Sequence, residues 1–180
     1  ILGLDVSTSI TGATVVDKDE NIIFCRAWDL RNKKKFTDVL DKAQEVSKLI
    51  SEIAKEHNIQ KVYIEEPFMF FNSGGSSAKT MAALQKFNGI VSWLVYEIFE
   101  IKPKYLGATA ARKLAGIKVP RGQKAKQVVL EHLLNTEPAF TIEYTKHGNP
   151  KPESYDRADA IVIAQAGWIA GVGSLMGPDP

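Results

Sequence analysis

The chain opens with the sequence ILGLDVSTS at residues 1–9, an apolar segment that runs directly into an aspartate, Asp5. A second apolar segment, VYIEE at residues 62–66, also ends in acid. Far downstream, Asp156 and Asp159 stand immediately before an apolar run. A strand interior tolerates an aspartate poorly, so Asp5 needs a partner such as a metal ion or backbone donors. Three separate segments thus bring carboxylate to the edge of an apolar element.

Carboxylates that pack together repel one another unless cations neutralise them. Convergence of these three segments would therefore indicate a divalent-metal site. Hard oxygen ligands favour Mg²⁺ or Mn²⁺, and two such ions can catalyse in-line hydrolysis of a phosphodiester. Each acid also has a simpler interpretation: Asp5 as a turn cap, and Asp156 and Asp159 as first-turn acids favoured by the helix dipole.

The glutamate pair at the end of the second apolar segment is ambiguous. Side chains alternate along a strand, so Glu65 and Glu66 point to opposite faces and only one can face Asp5. Strand parity alone does not choose between them.

The composition fits a single domain in a reducing compartment. The 180 residues carry a formal net charge of +2 and a single cysteine, which excludes an internal disulfide. We expect one domain over residues 1–170 and a flexible tail over residues 171–180. No apolar run reaches membrane-spanning length and no secretory leader is visible. We therefore expect no membrane partner and an intracellular location, such as the cytoplasm or nucleoid, an organelle matrix or a phage-infected host cell.

The periodicity of apolar residues predicts an α/β fold, a mixed five-stranded sheet flanked by helices. Pro103 restricts the last predicted strand to a sheet edge, because proline cannot donate to a ladder. The predicted strands are 1–6, 12–17, 21–28, 61–65 and 101–106. The predicted helices are 36–54, 79–99, 109–114, 123–134 and 155–170.

Taken in order, the acidic motifs resemble those of RuvC-type Holliday-junction resolvases. They are LGLD at 2–5, IE at 64–65 followed by PFM at 67–69, and DRADA at 156–160, and the resemblance extends from residue 1 to about residue 168. It implies a ribonuclease H-like fold, a homodimer, and a nuclease that uses two Mg²⁺ ions, or Mn²⁺, on four-way DNA junctions. By matching position, the catalytic metal ligands would be Asp5, Glu65, Asp156 and Asp159.

The resemblance also implies a lysine that assists cleavage near the start of the penultimate helix. Lys124 and Lys126 are both candidates, and we predict Lys124 because it falls on the polar side of the helical wheel. The surrounding basic stretch is predicted to contact DNA phosphates, although a solvated helix face would carry the same charges. The predicted contact residues are Arg112, Lys113, Lys118, Arg121 and Lys126.

Two apolar features point to partners. Phe68 matches a family aromatic that stacks on bases opened at the crossover, although a hydrophobic plug over the core is an alternative. The helix at 79–99 carries apolar residues on more than one flank, including Trp93 and Tyr96. That pattern is typical of a dimer interface, and also of a well-buried helix.

Other functions stay open at this point. A different ribonuclease H-like nuclease would cut RNA–DNA hybrids or structured nucleic acid. An actin-like or sugar-kinase-type ATP-binding domain would use residues 3–9, but it needs a second domain and gives the acids at 156 and 159 no role. A non-catalytic junction-binding protein would not need all four carboxylates. Pro67, the aromatic-rich loop and the insertion at 136–153 indicate a divergent member, of phage or organellar type.

Overall fold

The computed structural model of the chain describes residues 1–67 and 77–175, with side chains described as far as residue 172. Within this part of the chain the strands form a mixed sheet in the order β3-β2-β1-β4-β5. The pairs β1–β2 and β2–β3 are antiparallel, whereas β1–β4 and β4–β5 are parallel. The strands are β1 (Leu2–Asp5), β2 (Ile10–Val16), β3 (Ile22–Asp29), β4 (Val62–Glu66) and β5 (Lys104–Gly107).

Helices cover both faces of this sheet. The first two contact each other and share one apolar core with Leu2 and Leu4 of β1. On the opposite face, the third and fourth helices each contact the fifth, and the core there includes Tyr63 of β4. None of the helices in the described residues is both long and apolar enough to cross a lipid bilayer. The helices are α1 (Val39–Glu56), α2 (Ala78–Phe99), α3 (Ala108–Leu114), α4 (Ala125–Thr136) and α5 (Glu153–Leu175).

The predicted fold class is confirmed, and β5 lies at a sheet edge as expected. The start of α1 differs from the prediction. Its N-cap is Asp38, whose carboxylate accepts hydrogen bonds from the backbone N–H groups of Leu40 and Asp41. Phe36 is buried from the preceding turn, and Leu40 is 66% exposed although the apolar pattern placed it on the buried stripe. The buried stripe of α1 consists of Ala43, Val46, Ile50 and Ile53, and Leu40 lies to one side of it on the helical wheel.

Helix α5 lies unusually close to the sheet. A Cβ added to Gly3 would stand 2.5 Å from the backbone nitrogen of Ala164, and one added to Gly12 would stand 2.1 Å from the backbone oxygen of Asp156. Real Cβ atoms do not approach backbone so closely. Glycine at both strand positions therefore allows α5 to pack directly on the backbone of β1 and β2.

We predict that Gly12→Ala displaces the start of α5 from β2. The added Cβ would clash with the backbone of Asp156, which cannot move aside as a flexible side chain can. The free energy of unfolding should fall by about 2 kcal/mol or more, the scale of overpacking a dense core. Urea denaturation would measure the change.

Gly89→Ala in α2 is the matched control, since an added Cβ there meets nothing within 4 Å. It should stabilise the protein by roughly 0.5–1 kcal/mol through helix propensity. Equal effects of the two substitutions would contradict the close-packing explanation.

Candidate active site

Strand geometry places Asp5 and Glu65 on the same face of the sheet, the face covered by α5. Gly3 lies two residues before Asp5 and contacts α5. Tyr63 lies two residues before Glu65, and its ring packs against Gly167 of α5. Because side chains alternate, Asp5 and Glu65 follow their neighbours onto this face. Glu66 points to the other face and is exposed. The contacts with α5 thus resolve the ambiguity that parity left open.

The acids of α5 reach the same end of the sheet. Asp156 lies in the first turn of α5, and Asp159 lies one turn farther along the same helix face. Gly12 is the residue that pairs with Asp5 across the β1–β2 ladder, and it also lies directly against the backbone of Asp156. One glycine therefore brings the first strand and the last helix together at their acidic ends.

The electrostatics show that all four predicted carboxylates lie close to one another. Burial raises the pKa of Asp5 well above its usual range. The charge of Glu65, and a hydrogen bond between the two carboxyl groups, raise it further. The charges of Asp159 and Asp156 act in the same direction. The side chain of Asp5 is thus at the centre of the group.

The two acids of α5 are perturbed in the same sense. Burial raises the pKa of Asp156 to about 6, and the charge of Lys126 opposes that rise. Burial and the charge of Glu65 raise the pKa of Asp159 to about 7, against the opposing charges of Lys126 and Arg112. The nearby cations therefore do not offset the desolvation and mutual repulsion of these carboxylates.

Lys126 and Arg112 are the predicted DNA-contact residues that the structure brings closest to the acids. Arg112 also lines a narrow crevice with Glu65 and Asp159, and its guanidinium donates a hydrogen bond of 3.2 Å to the hydroxyl of Thr109. Lys126 lies in the first turn of α4 and is exposed. Both are therefore placed to act on the acidic site itself.

The remaining predicted basic residues are exposed in or near α3 and α4. Lys113 ends α3 as an exposed side chain, and Lys118 and Arg121 are exposed in the connection to α4. Lys124 is the N-cap residue of α4, and its side chain makes no capping hydrogen bond. Its assignment as the assisting lysine stays a prediction. Phe68, predicted to stack on bases, lies outside the described residues.

Arg157 stands between the two acids of α5 in sequence but does not neutralise them. Its Nε donates to Glu153 at 2.7 Å, and its Nη2 donates to the backbone oxygen of Thr141 at 2.7 Å. The guanidinium also lies over the ring of Phe140. Arg157 therefore holds the segment before α5 in place, and its charge is paired with that of Glu153.

Sequence reasoning missed Asn88, a buried amide on α2 that reaches β4 from the opposite face of the sheet. Its Nδ2 donates to the backbone oxygen of Glu65 at 3.2 Å. Since Asn88 is 6% exposed and sits between apolar neighbours of α2, its polarity inside an apolar helix face was the available signal. Asn88 fixes the backbone of the residue that carries the second carboxylate.

The four carboxylates suit a hard divalent metal ion, because they offer oxygen ligands that are partly withdrawn from water. They also outnumber the basic side chains near them. Within the described ranges, however, no three His, Cys, Asp or Glu side chains stand in an arrangement that could hold a metal ion. The four acids thus interact electrostatically, but their side chains do not form a closed coordination sphere.

The raised pKa values predict how the metal-free protein responds to pH. Between about pH 4 and pH 7, the folded state holds protons on Asp156 and Asp159 that the unfolded chain has already lost. Both groups therefore destabilise the folded state increasingly as pH rises through this range. Asp159→Asn removes one such group. Its free energy of unfolding should therefore rise relative to the parent protein, by on the order of 1–3 kcal/mol between pH 5 and pH 8.

Urea denaturation in a chelating buffer at both pH values measures this difference. Asp19→Asn, in the exposed β2–β3 turn, is the matched control and should show no such trend. If the free energy of unfolding of Asp159→Asn fell relative to that of the parent over this range, the burial of Asp159 beside the other acids would be contradicted.

Comparisons with known proteins find relatives by structure only. No protein-family model matches the chain, and no curated protein matches it in sequence. The structure of Thermus thermophilus RuvC in complex with Holliday junction substrate superposes with a TM-score of 0.66 at 15% identity, covering 96% of this chain and 95% of that one. The yeast mitochondrial Holliday junction resolvase Ydc2 gives a TM-score of 0.61 at 14% identity, covering 96% and 80%.

A second structure, Thermus thermophilus RuvC, gives a TM-score of 0.58 at 16% identity, again covering 96% of this chain and 95% of the other. Each match extends over nearly the whole chain, so it includes the sheet and the helices on both faces. The chain therefore has the ribonuclease H-like fold that is found in RuvC-type Holliday junction resolvases.

Proposed function

We propose that this protein is a divalent-metal-dependent endonuclease that cuts four-way DNA junctions. The observation that carries the proposal is the convergence of Asp5, Glu65, Asp156 and Asp159, from three distant segments, at one end of the sheet. The fold supports it, because the chain matches structures of Holliday junction resolvases over almost its entire length. Other ribonuclease H-like nucleases share the acidic chemistry, and the substrate comparison below separates them.

The four carboxylates would hold the cations, Mg²⁺ or Mn²⁺, with two per site as the resemblance implies. Asp5 is central, since each of the other three acids raises its pKa. Rotation of the carboxylate side chains would complete the coordination, as their backbones are already gathered. When bound, the cations supply Lewis-acid stabilisation of the charge that develops on the scissile phosphate.

The chain's own residues position that chemistry. The backbone contact between Gly12 and Asp156 sets the distance from α5 to β1, and the Asn88 amide holds the backbone of Glu65. Burial of the carboxylates lowers the local dielectric and so strengthens each electrostatic interaction made there. The site is thus built on a rigid sheet and helix, with exposed basic residues around it.

We propose that Lys126, rather than Lys124, assists cleavage. The charge of Lys126 lowers the pKa of both Asp156 and Asp159, which supports a position of its ammonium near these acids. From there it can stabilise negative charge on the phosphate or donate a proton to a leaving oxygen. Lys124 precedes α4 at its N-cap, where the exposed side chain is suited to a phosphate contact outside the site.

A homodimer would present two such sites to a junction with two-fold symmetry. We propose that the outer surface of α2 forms its interface. Trp93 is 59% exposed and Tyr96 is 47% exposed, three residues apart on one helix face. Tyr105 of β5 is exposed beside them and forms a hydrogen bond of 2.8 Å with Ser92. An aromatic surface of this kind is typical of protein interfaces.

The decisive experiment is cleavage of a labelled synthetic four-way junction in Mg²⁺ or Mn²⁺, beside linear duplex, a fork and an RNA–DNA hybrid. We expect paired nicks at the crossover. Asp5→Asn should reduce the rate by at least about 10²-fold, the scale of losing one electrostatic contact to a transition state, while junction binding persists. Asp19→Asn, a carboxylate change in an exposed turn, should cut normally.

Each outcome on the substrates has a distinct meaning. Preferential cutting of the hybrid would assign the protein to a different class of ribonuclease H-like nuclease. Junction binding without cutting in either metal would remove the catalytic part of the proposal.

The two lysines are separated by Lys126→Ala and Lys124→Ala. We expect Lys126→Ala to slow cleavage by about 10²-fold at saturating junction, as for loss of a proton-transfer group, with little change in affinity. In the metal-free variant the pKa of Asp156 and Asp159 should rise further, because an opposing charge is gone. Lys124→Ala should change affinity more than rate, and the reverse pattern would restore Lys124 to the assisting role.

A further inference from the structure

A basic groove lies at the same end of the sheet as the acids, but on the face covered by α1 and α2. It is formed where the segment after β3 passes between the start of α1 and the first half of α2. Phe36 is buried at its base, and Thr8 of the β1–β2 connection closes one side. Three lysines line it: Lys33, Lys42 and Lys86.

The positive charge of this groove is largely uncompensated. Asp38 is the acidic residue in its lining, and that carboxylate is engaged by the backbone N–H groups of Leu40 and Asp41. Lys33 and Lys86 are exposed and form no ion pair within the described ranges. A groove with three lysines and one engaged carboxylate attracts anions.

Lys42 differs from the other two lysines, because its Nζ donates a hydrogen bond to the backbone oxygen of Thr8. That contact fixes the β1–β2 connection against α1, three residues after Asp5. The backbone N–H of Leu30 donates to the backbone oxygen of Ser9 at 2.7 Å, which holds the segment after β3 against the same connection. The groove is therefore tied to the strand that carries the central carboxylate.

Basic residues continue from the groove back to the end of β3. Arg31 lies two residues before Lys33 and is held by Asp29 in an exposed ion pair of 2.8 Å. The hydrogen bond and the charge of Asp29 raise the pKa of Arg31, and the charge of Asp156 acts in the same direction to a smaller extent. The segment 31–35 therefore carries basic side chains from the end of β3 to the groove.

We propose that this groove binds the phosphate backbone of a DNA arm that leaves the active site around the end of the sheet. The proposal rests on the function proposed above and extends it, because it assigns a second arm-binding surface on the face opposite α5. The basic residues near α3 and α4 would hold one arm on their side of the acids. Lys33 and Lys86, with Arg31 between them and the site, would hold another.

The exposure of Lys33 and Lys86 favours a nucleic-acid backbone over a compact anion held in a closed pocket. Lys33 lies on the segment after β3 and Lys86 lies on α2, so the two ammonium groups approach the groove from separate elements. Their side chains are flexible and exposed, as is typical of phosphate contacts that add affinity without reading sequence. Lys42, held by Thr8, supports the wall between them.

The test uses the double variant Lys33→Gln/Lys86→Gln in the Asp5→Asn background, so that binding is measured without cutting. Affinity for a four-way junction should fall by about tenfold at moderate salt, and the slope of log affinity against log salt should decrease by about 2, for two lost phosphate contacts. Lys33→Arg/Lys86→Arg should retain both. Lys42 is left unchanged because its bond to Thr8 is structural.

Affinity is also measured for junctions whose arms are shortened stepwise toward the crossover. A folding defect would lower affinity by the same factor at every arm length. The difference between the variant and its parent should disappear once an arm is too short to reach the groove. The control is Lys55→Gln/Lys102→Gln, which removes the same charge from exposed positions at the opposite ends of α1 and α2. Thermal unfolding should be similar for all variants.

The outcomes separate this inference from the proposed function. Equal affinity and equal salt slope for the groove variant and the control, with the wild-type protein cutting junctions, would overturn the groove alone. A loss that is independent of arm length would also overturn it. If the wild-type protein neither binds nor cuts four-way junctions, both proposals fail.

Discussion

The contact between α5 and the backbone of β1 and β2 is the constraint on which the site depends. A helix normally packs on a sheet through side chains, but here Gly3 and Gly12 leave no Cβ in the way, and the helix lies against the strand backbone. Residues from the two ends of the chain are thereby brought within electrostatic range. The sheet supplies Asp5 and Glu65 in fixed register, and the helix supplies Asp156 and Asp159. The two acids of α5 would not reach the two acids of the sheet if the helix stood at an ordinary distance.

This arrangement works against stability. Burying carboxylates together is unfavourable, and their raised pKa values measure how strongly the folded chain resists holding them charged. A fold tolerates such a group when the remaining core supplies enough stabilisation, and here an extensive apolar core lies on each face of the sheet. Local rules are most often broken at functional sites. The acids, the glycines beneath them and the buried Asn88 amide are all exceptions of this kind, and they all lie around one end of the sheet.

The sequence was informative where the physics is local. Strand alternation and helical spacing predicted the sheet and the helices. The turn between β2 and β3 is equally local, since the carboxylate of Asp17 accepts hydrogen bonds from the backbone N–H groups of Asp19 and Asn21. Non-local contacts were out of reach. The face of Glu65 is set by the packing of Tyr63 on Gly167, 104 positions later in the numbering of the same chain. The choice between Lys124 and Lys126 depends on how α4 is placed beside α5, which a helical wheel drawn for α4 alone does not contain.

Asn88 gives the two faces of the sheet a mechanical connection. It belongs to α2, whose outer surface carries Trp93 and Tyr96, and its amide donates a hydrogen bond to the backbone oxygen of Glu65 in β4. A buried hydrogen bond of this kind is costly to leave unmade. Phe87 and Val91 of α2 also share one core with Val62 and Ile64 of β4, so the amide adds a polar contact to this packing. Together these contacts link the helix that carries the exposed aromatic residues to the strand that carries Glu65.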